Sequence, residues 1–383
     1  MRLILKKEIL INSLNKALRI VSNRNTLEIL ECILLTLKKN NLIIYSNNLE
    51  LSIEISNSEI NIIDFDKEIE IAVNAKLFTE IIKKMPNDDI IIEIQNNEMI
   101  IKDNEVEFKL SYQNAQNFPK LYEIEKSQMY KVNAFKMIDA VKNTIFASSQ
   151  DETKPILTGE LLEIQNDKIN FVSLDGFRIA FKSIELIKNK AEDNSDENIE
   201  AYIDDKIIVP SKSLLELIKI LPNNRELTIN FYITDKHAFF EFDNCLITTR
   251  LIEGEYINYF DIFNDNYNFI IKINRLIFLN ALERATLIAF RNKREPVKIN
   301  IEKKIMTVAC TNEINSFIEK IDIDFNEDKN LEIAFNPKYL CDALRSINQK
   351  DVLIFFNSNL EPCEIKPSED KNSKYLILPL KLF

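Results

Sequence analysis

Side chains suited to catalysis are scarce in this 383-residue sequence, and the scarcity excludes several chemistries. A single histidine, His237, would have to serve any Ser-His-Asp or Cys-His catalyst. It sits in the alternating run Lys-His-Ala-Phe-Phe-Glu-Phe-Asp at 236–243, which reads as a strand, so an ordinary strand histidine is the stronger reading. The five cysteines (Cys32, Cys245, Cys310, Cys341, Cys363) lack Cys-x-x-Cys spacing, which points to reduced cytoplasmic thiols rather than disulfides or zinc. With only three glycines, Gly159, Gly176 and Gly254, the chain has neither a dinucleotide-binding fingerprint nor a P-loop. A metal-dependent phosphodiesterase built on Asp175 and Arg178 needs converging carboxylates, and no such cluster accompanies Asp175. No cofactor, no metal and no catalytic activity are expected.

Lysine spacing carries more information. Lys76, Lys212 and Lys338 each stand third in a similar stretch: 74–86, 210–222 and 336–347. Every copy has an acid four residues later and apolar residues three and four apart, the period of an amphipathic helix. Asn336 followed by Pro337 reads as an N-cap, Ser213 with Glu216 as a capping box, and Pro86 and Pro222 as stops. The lysines lie 136 and 126 residues apart, the length of a whole domain. Three tandem domains follow, at 1–125, 126–263 and 264–383.

Each unit opens with a short strand and a helix, at 3–21, 130–146 and 271–288. A strand pair comes next, then a strand leading into the recurring helix, then further alternating strands. The expected fold is α+β, with two helices per unit on one face of antiparallel sheet. The acidic stretch 189–205 has no apolar periodicity and reads as a solvated loop. No apolar run approaches a membrane span, and the opening Met-Arg-Leu-Ile-Leu lacks a signal-peptide pattern, so a cytoplasmic protein without membrane partners is expected.

A net charge of -11 argues against nucleic acid until its distribution is considered. Helix segments 7–21 and 74–85 carry +2 each, 133–146, 210–221 and 336–347 carry +1 each, and 274–294 carries +4. The six together carry +11, which leaves -22 for everything else. Helix propensity does not explain this, because glutamate is as good a helix former as lysine. Helices lining one surface would follow phosphates while the acidic remainder repels them, without reading sequence. By this argument Lys16, Arg19, Lys142 and Arg284 join the candidate phosphate contacts.

One position breaks the repeat. Where unit one has Asn-Asn-Leu-Glu-Leu-Ser-Ile at 47–53, unit two has Leu-Asp-Gly-Phe-Arg-Ile-Ala at 174–180. Gly176 suggests a bend or a close backbone approach. Two readings stand side by side: a turn with a buried Asp175–Arg178 salt bridge, or a binding surface floored by Phe177 and Ile179 with Arg178 at its rim. The last stretch, 375–383, is unusually apolar, fitting either a core strand or a tail beside a peptide groove.

Taken together, these residues resemble the bacterial DNA sliding clamp family, the β subunit of DNA polymerase III. Arg-Asn-Thr-Leu-Glu-Ile-Leu at 24–30 resembles the family's Arg-Pro-Thr-Leu-Pro-Ile-Leu. Asp-Glu-Thr-Lys-Pro-Ile-Leu-Thr-Gly at 151–159 matches its turn before the middle-domain strands. Residues 174–180 resemble Thr-Asp-Gly-His-Arg-Leu-Ala, and Leu-Pro-Leu-Lys-Leu at 378–382 resembles Met-Pro-Met-Arg-Leu. The similarity runs over essentially the whole chain.

The resemblance implies a head-to-tail homodimer of three-domain subunits, closing a six-domain ring around double-stranded DNA near the nucleoid. It implies a non-catalytic processivity factor whose partners are the clamp loader complex, the replicative DNA polymerase alpha subunit and other clients. Family DNA contacts carry over to Arg24, Lys76, Lys154, Lys212, Asn336 and Tyr339. The family's client pocket, which takes Gln-x-Leu-Phe-like peptides, carries over to Leu157, Leu174, Gly176, Phe177, Arg178 and Ile179. It continues at Ile257, Ile262, Leu376, Leu378, Pro379, Leu380, Lys381 and Leu382. This chain departs from the family pattern at Phe177 (histidine), Ile257 (proline), Asn258 (aspartate), Asp261 (arginine) and Ser211 (arginine), implying a more apolar pocket with altered rim charge. The rival from another class is a monomeric peptide-binding scaffold, which would leave the six positive helices unexplained.

Overall fold

The apolar periodicity becomes helix where the spacing requires it. Seven α-helices lie among the described residues: α1 (Lys7–Leu18), α2 (Ala75–Lys84), α3 (Ala134–Thr144), the one-turn α4 (Pro155–Thr158), α5 (Ser211–Ile220), α6 (Arg275–Ala289) and α7 (Pro337–Ser346). The computed structural model describes residues 1–21, 27–58, 60–63, 65, 67–95, 98–119, 128–188, 203–263, 266–289, 295–325 and 329–381. Two of the recurring helices are capped as their sequences suggest. Asn74 Oδ1 accepts from the Leu77 amide at 3.0 Å, and Asn336 Oδ1 from the Lys338 amide at 3.1 Å, satisfying donors the first turn leaves open. The expected capping box of Ser213 and Glu216 does not form. The strand ending at Pro210 runs straight into a helix that starts at Ser211, so Ser213 is buried inside the first turn. Glu216 instead accepts from Lys219 Nζ at 2.7 Å.

The chain divides into two compact units, Met1–Phe135 with Lys212–Leu251, and Lys136–Ser211 with Ile252–Phe383. Their boundary does not follow the sequence repeat, because sheets run through the junctions between repeats. In the first unit a nine-stranded antiparallel sheet joins Leu51–Asn57 of the first repeat to Cys245–Arg250 of the second, with Ile53 opposite Ile247. In the second unit an eight-stranded sheet joins Arg178–Glu185 of the second repeat to Ser373–Ile377 of the third, with Ala180 opposite Tyr375. Each junction consumes two strand edges that would otherwise expose unpaired amides and carbonyls.

A five-stranded sheet completes the first unit, ending on Glu107–Ser111, and a four-stranded sheet completes the second, ending on Ser316–Asp322. Helices α1 and α2 pack together in the first unit and contact strands of the nine-stranded sheet; Leu10, Leu14, Ala17, Phe78 and Ile82 are buried. In the second unit α6 and α7 share one core with the sheet strands around them, through Phe278, Leu282, Leu340 and Leu344. Each such side chain contributes about 1.5–3 kcal/mol when fully buried.

Candidate functional site

The basic helix residues occupy the exposed flank of each amphipathic stripe. On α2, Ala75, Phe78 and Ile82 face the core, which turns Lys76 to solvent. Lys142 on α3 and Lys212 on α5 are exposed in the same way, as is Lys154 just before α4. Several expected contacts have partners within the fold. Lys16 is half-buried and donates from Nζ to Cys245 Sγ at 3.3 Å, beside a polar cavity of about 360 Å3 that Asn12, Ser13 and Asn57 also line. Arg19 lies 4.0 Å from Glu216. Arg284 forms a two-pronged ion pair with Glu319, Nε to Oε2 at 2.8 Å and NH2 to Oε1 at 2.6 Å. The Asn336 side chain is spent on its cap. Arg24 lies outside the described residues.

Tyr339 stands with the other set of residues. Its ring stacks on Phe177, centroids 6.2 Å apart, and under the Arg178 guanidinium at 4.6 Å. At 174–180 the geometry contains the salt bridge, Arg178 Nε meeting Asp175 Oδ2 at 3.0 Å. Arg178 is buried, only 8% exposed, so it does not stand at the rim of a surface. The same guanidinium also donates to Asp342 Oδ2 at 2.7 Å and to the Phe146 carbonyl at 2.8 Å. It so ties the bend to α7 and to the segment after α3. Sequence marked Asp342 only as the acid four residues after Lys338, not as a partner of Arg178, 164 residues away.

Gly176 adopts φ +91°, a left-handed conformation that favours glycine, and lets the chain turn so that Phe177 projects, 55% exposed. Beneath lies an apolar floor of Leu161, Val172, Leu174, Ile179, Tyr259 and Leu376, with Leu157 packed against it. Three of the expected pocket residues, Leu174, Ile179 and Leu376, are buried in that floor. Ile257, Ile262, Leu378 and Leu380 are exposed around it, and Pro379 is half-buried. The last described residues are pinned, not frayed: the Leu378 amide donates to the Phe177 carbonyl at 2.9 Å and the Leu380 amide to Ala334 at 2.7 Å. Lys381 is exposed; Leu382 lies outside the described residues.

Two carboxylates under this surface were not singled out by sequence. Glu163 is held by Lys206, Tyr259 and Asn170; burial works to raise its pKa, but these hydrogen bonds outweigh it and keep the carboxyl below its ordinary range. Glu160 is fully buried, accepts from Thr144, and its Oε2 has no hydrogen-bond partner among the described residues. Burial pushes its carboxyl up to about 8, although the Thr144 hydrogen bond pulls the other way. The only hint was a pair of charges inside a strand-like run.

Models of the DNA polymerase III beta subunit match in chain order: the N-terminal domain over residues 1–122, the central domain over 131–258 and the C-terminal domain over 261–381. The beta sliding clamp of Bacillus subtilis is 30% identical over 393 residues, covering both chains completely. The chain belongs to this family. The beta sliding clamp of Staphylococcus epidermidis is 29% identical, again over the full length of both. A crystal structure of the Bacillus subtilis DNA polymerase sliding clamp superposes with a TM-score of 0.90 at 27% identity, covering both chains completely. Family membership makes this protein a processivity subunit of a DNA polymerase, without catalytic activity, that works on DNA with a polymerase and a clamp loader. Among the described residues no helix is long and apolar enough to cross a membrane.

Proposed function

We propose that two copies of this chain close head to tail into a six-domain ring around duplex DNA and tether replication proteins through the groove over Leu174, Ile179 and Leu376. The observation that carries the ring is the pairing of strand edges. Each repeat has one strand of a recurring pair, Leu51–Asn57, Arg178–Glu185 or Ser316–Asp322, and one closing strand, Glu107–Ser111, Cys245–Arg250 or Ser373–Ile377. The first repeat's strand takes the second's closing strand, and the second's takes the third's. Ser316–Asp322 and Glu107–Ser111 remain as sheet edges, and one rule pairs them between copies. Apolar exposure near the first of these edges supports the reading: Leu287 is 70% exposed, Ile318 69% and Ile314 81%. A head-to-tail pair satisfies both edges twice, which closes the ring.

The ring's domains are 1–125, 126–263 and 264–383. Lys76, Lys142, Lys154, Lys212 and Lys338 take phosphates together with Arg19, and Arg24 joins them on its sequence alone. Arg284, held by Glu319, belongs with the closing edge. Weak contacts suffice, because a closed ring is retained by topology and slides. The groove takes clamp-binding peptides of the replicative polymerase alpha subunit, the clamp loader and other clients. Its work site is the nucleoid. The test is retention: with a clamp loader, protein placed on a nicked circular plasmid stays bound and is lost within minutes once the plasmid is cut. Equal loss from circle and linear DNA would sink the ring.

A further inference from the structure

We infer that the groove selects peptides whose apolar anchors are flanked by lysine or arginine; this rests on reading the groove as the client site. The segment 252–263 forms one wall. It is fastened to the floor by the Ile252 amide donating to Ile208 at 2.9 Å, by Tyr256 OH donating to the Val172 carbonyl at 3.2 Å, and by Tyr259 OH donating to Glu163. A Cβ on Gly254 would meet Ile156 Cδ1 at 2.6 Å, so the backbone there lies close against a side chain packed on the floor.

This fixed wall carries Glu253, Glu255 and Asp261, all exposed, and no basic residue. None of the three is in an ion pair among the described residues; Asp261 only accepts from Asn258 Nδ2 at 2.6 Å. Two bases elsewhere around the groove are offset by carboxylates. Arg178 is neutralised by Asp175 and Asp342, and Lys206 by Glu163. Lys374 sits 5.3 Å over the Phe263 ring, and Lys154 lies beside Asp151. Lys381 stands exposed on the opposite wall. Exposed Phe177, Ile257, Phe260 and Leu378 thus lie beside a wall whose charges are all negative. The complementary occupant is an extended segment of another protein with apolar anchors and positive flanks, and the wall's charge sets preference more than total affinity.

The experiment uses the full chain and three fluorescent ten-residue peptides sharing a Gln-Ser-Leu-Phe core, flanked by lysine, serine or glutamate. In low salt the lysine-flanked peptide should bind about tenfold tighter than the glutamate-flanked one, as expected for a few partly exposed ion pairs. The ratio should fall to about two- or threefold in 0.5 M salt, where screening is strong. Asp261→Lys, checked for folding by circular dichroism, should narrow the ratio, and Glu253→Gln with Glu255→Gln should do so independently. Equal affinity for the three peptides in low salt would overturn the charge preference and leave the groove reading standing. No binding of any peptide would overturn both.

Discussion

Replacing Glu160 with glutamine should flatten the pH dependence of stability by an amount the burial of this residue sets. Glu160 is fully buried with one hydrogen bond, from Thr144, and burial raises its carboxyl from an ordinary 4.5 to about 8. Above pH 4.5 the unfolded chain releases this proton while the folded chain keeps it. The unfolded state then binds fewer protons, so stability falls as pH rises, until the folded carboxyl also ionises near pH 8. At 1.36 kcal/mol per pH unit, the interval between 4.5 and about 8 amounts to about 5 kcal/mol, of which about 3 kcal/mol has accrued at pH 7. Glutamine keeps the acceptor for Thr144 and cannot ionise. Urea unfolding at pH 5, 6, 7 and 8, at one fixed protein concentration, isolates the group as wild type minus variant. That difference should move in the variant's favour by about 1.4 kcal/mol per pH unit between pH 5 and 7. The absolute offset reports packing of the amide and is immaterial; only the slope tests the carboxyl. Parallel curves for the two proteins would refute the claim that Glu160 stays protonated in the fold.

Three further outcomes follow from the same geometry. Arg178→Ala leaves Asp175 and Asp342 without the cation that joins them, and should lower stability by about 3 kcal/mol in thermal unfolding, with Arg178→Lys recovering only part. Gly254→Ala should destabilise more than Gly176→Ala: both have positive φ, but only the Gly254 Cβ would strike a neighbour, whereas nothing lies within 4 Å at Gly176. Lys76→Ala combined with Lys338→Ala should weaken binding to duplexes of any sequence alike, and should reduce the slope of log affinity against log salt by about 1.8.

The helices were legible in the sequence because a one-sided apolar stripe at period 3.6 is a local property, repeated at 74–86, 210–222 and 336–347. Their charge was legible too, since a residue beside the stripe must face solvent. Which charges remain available was not: Lys16 meets Cys245 and Arg284 meets Glu319 only because the fold brings those partners near. At 174–180 the sequence offered a salt bridge and a binding surface as competing readings. Only the tertiary contacts of Arg178 with Asp342 and Phe146 explain why its guanidinium is buried there and not at a rim.

The repeat and the strands within it were determined by the sequence alone, since alternation and helix period are read over a few residues. Strand pairing across the repeats was decided by tertiary structure. An edge has no sequence signature of its partner when the partner lies far along the chain, as Ile53 and Ile247 do. Burial of Glu160 was decided there as well: a carboxylate in an alternating strand is read as solvent-facing until a helix bearing Thr144 is laid over it. Pairing and burial depend on what arrives from elsewhere in the chain, and local sequence holds no record of that.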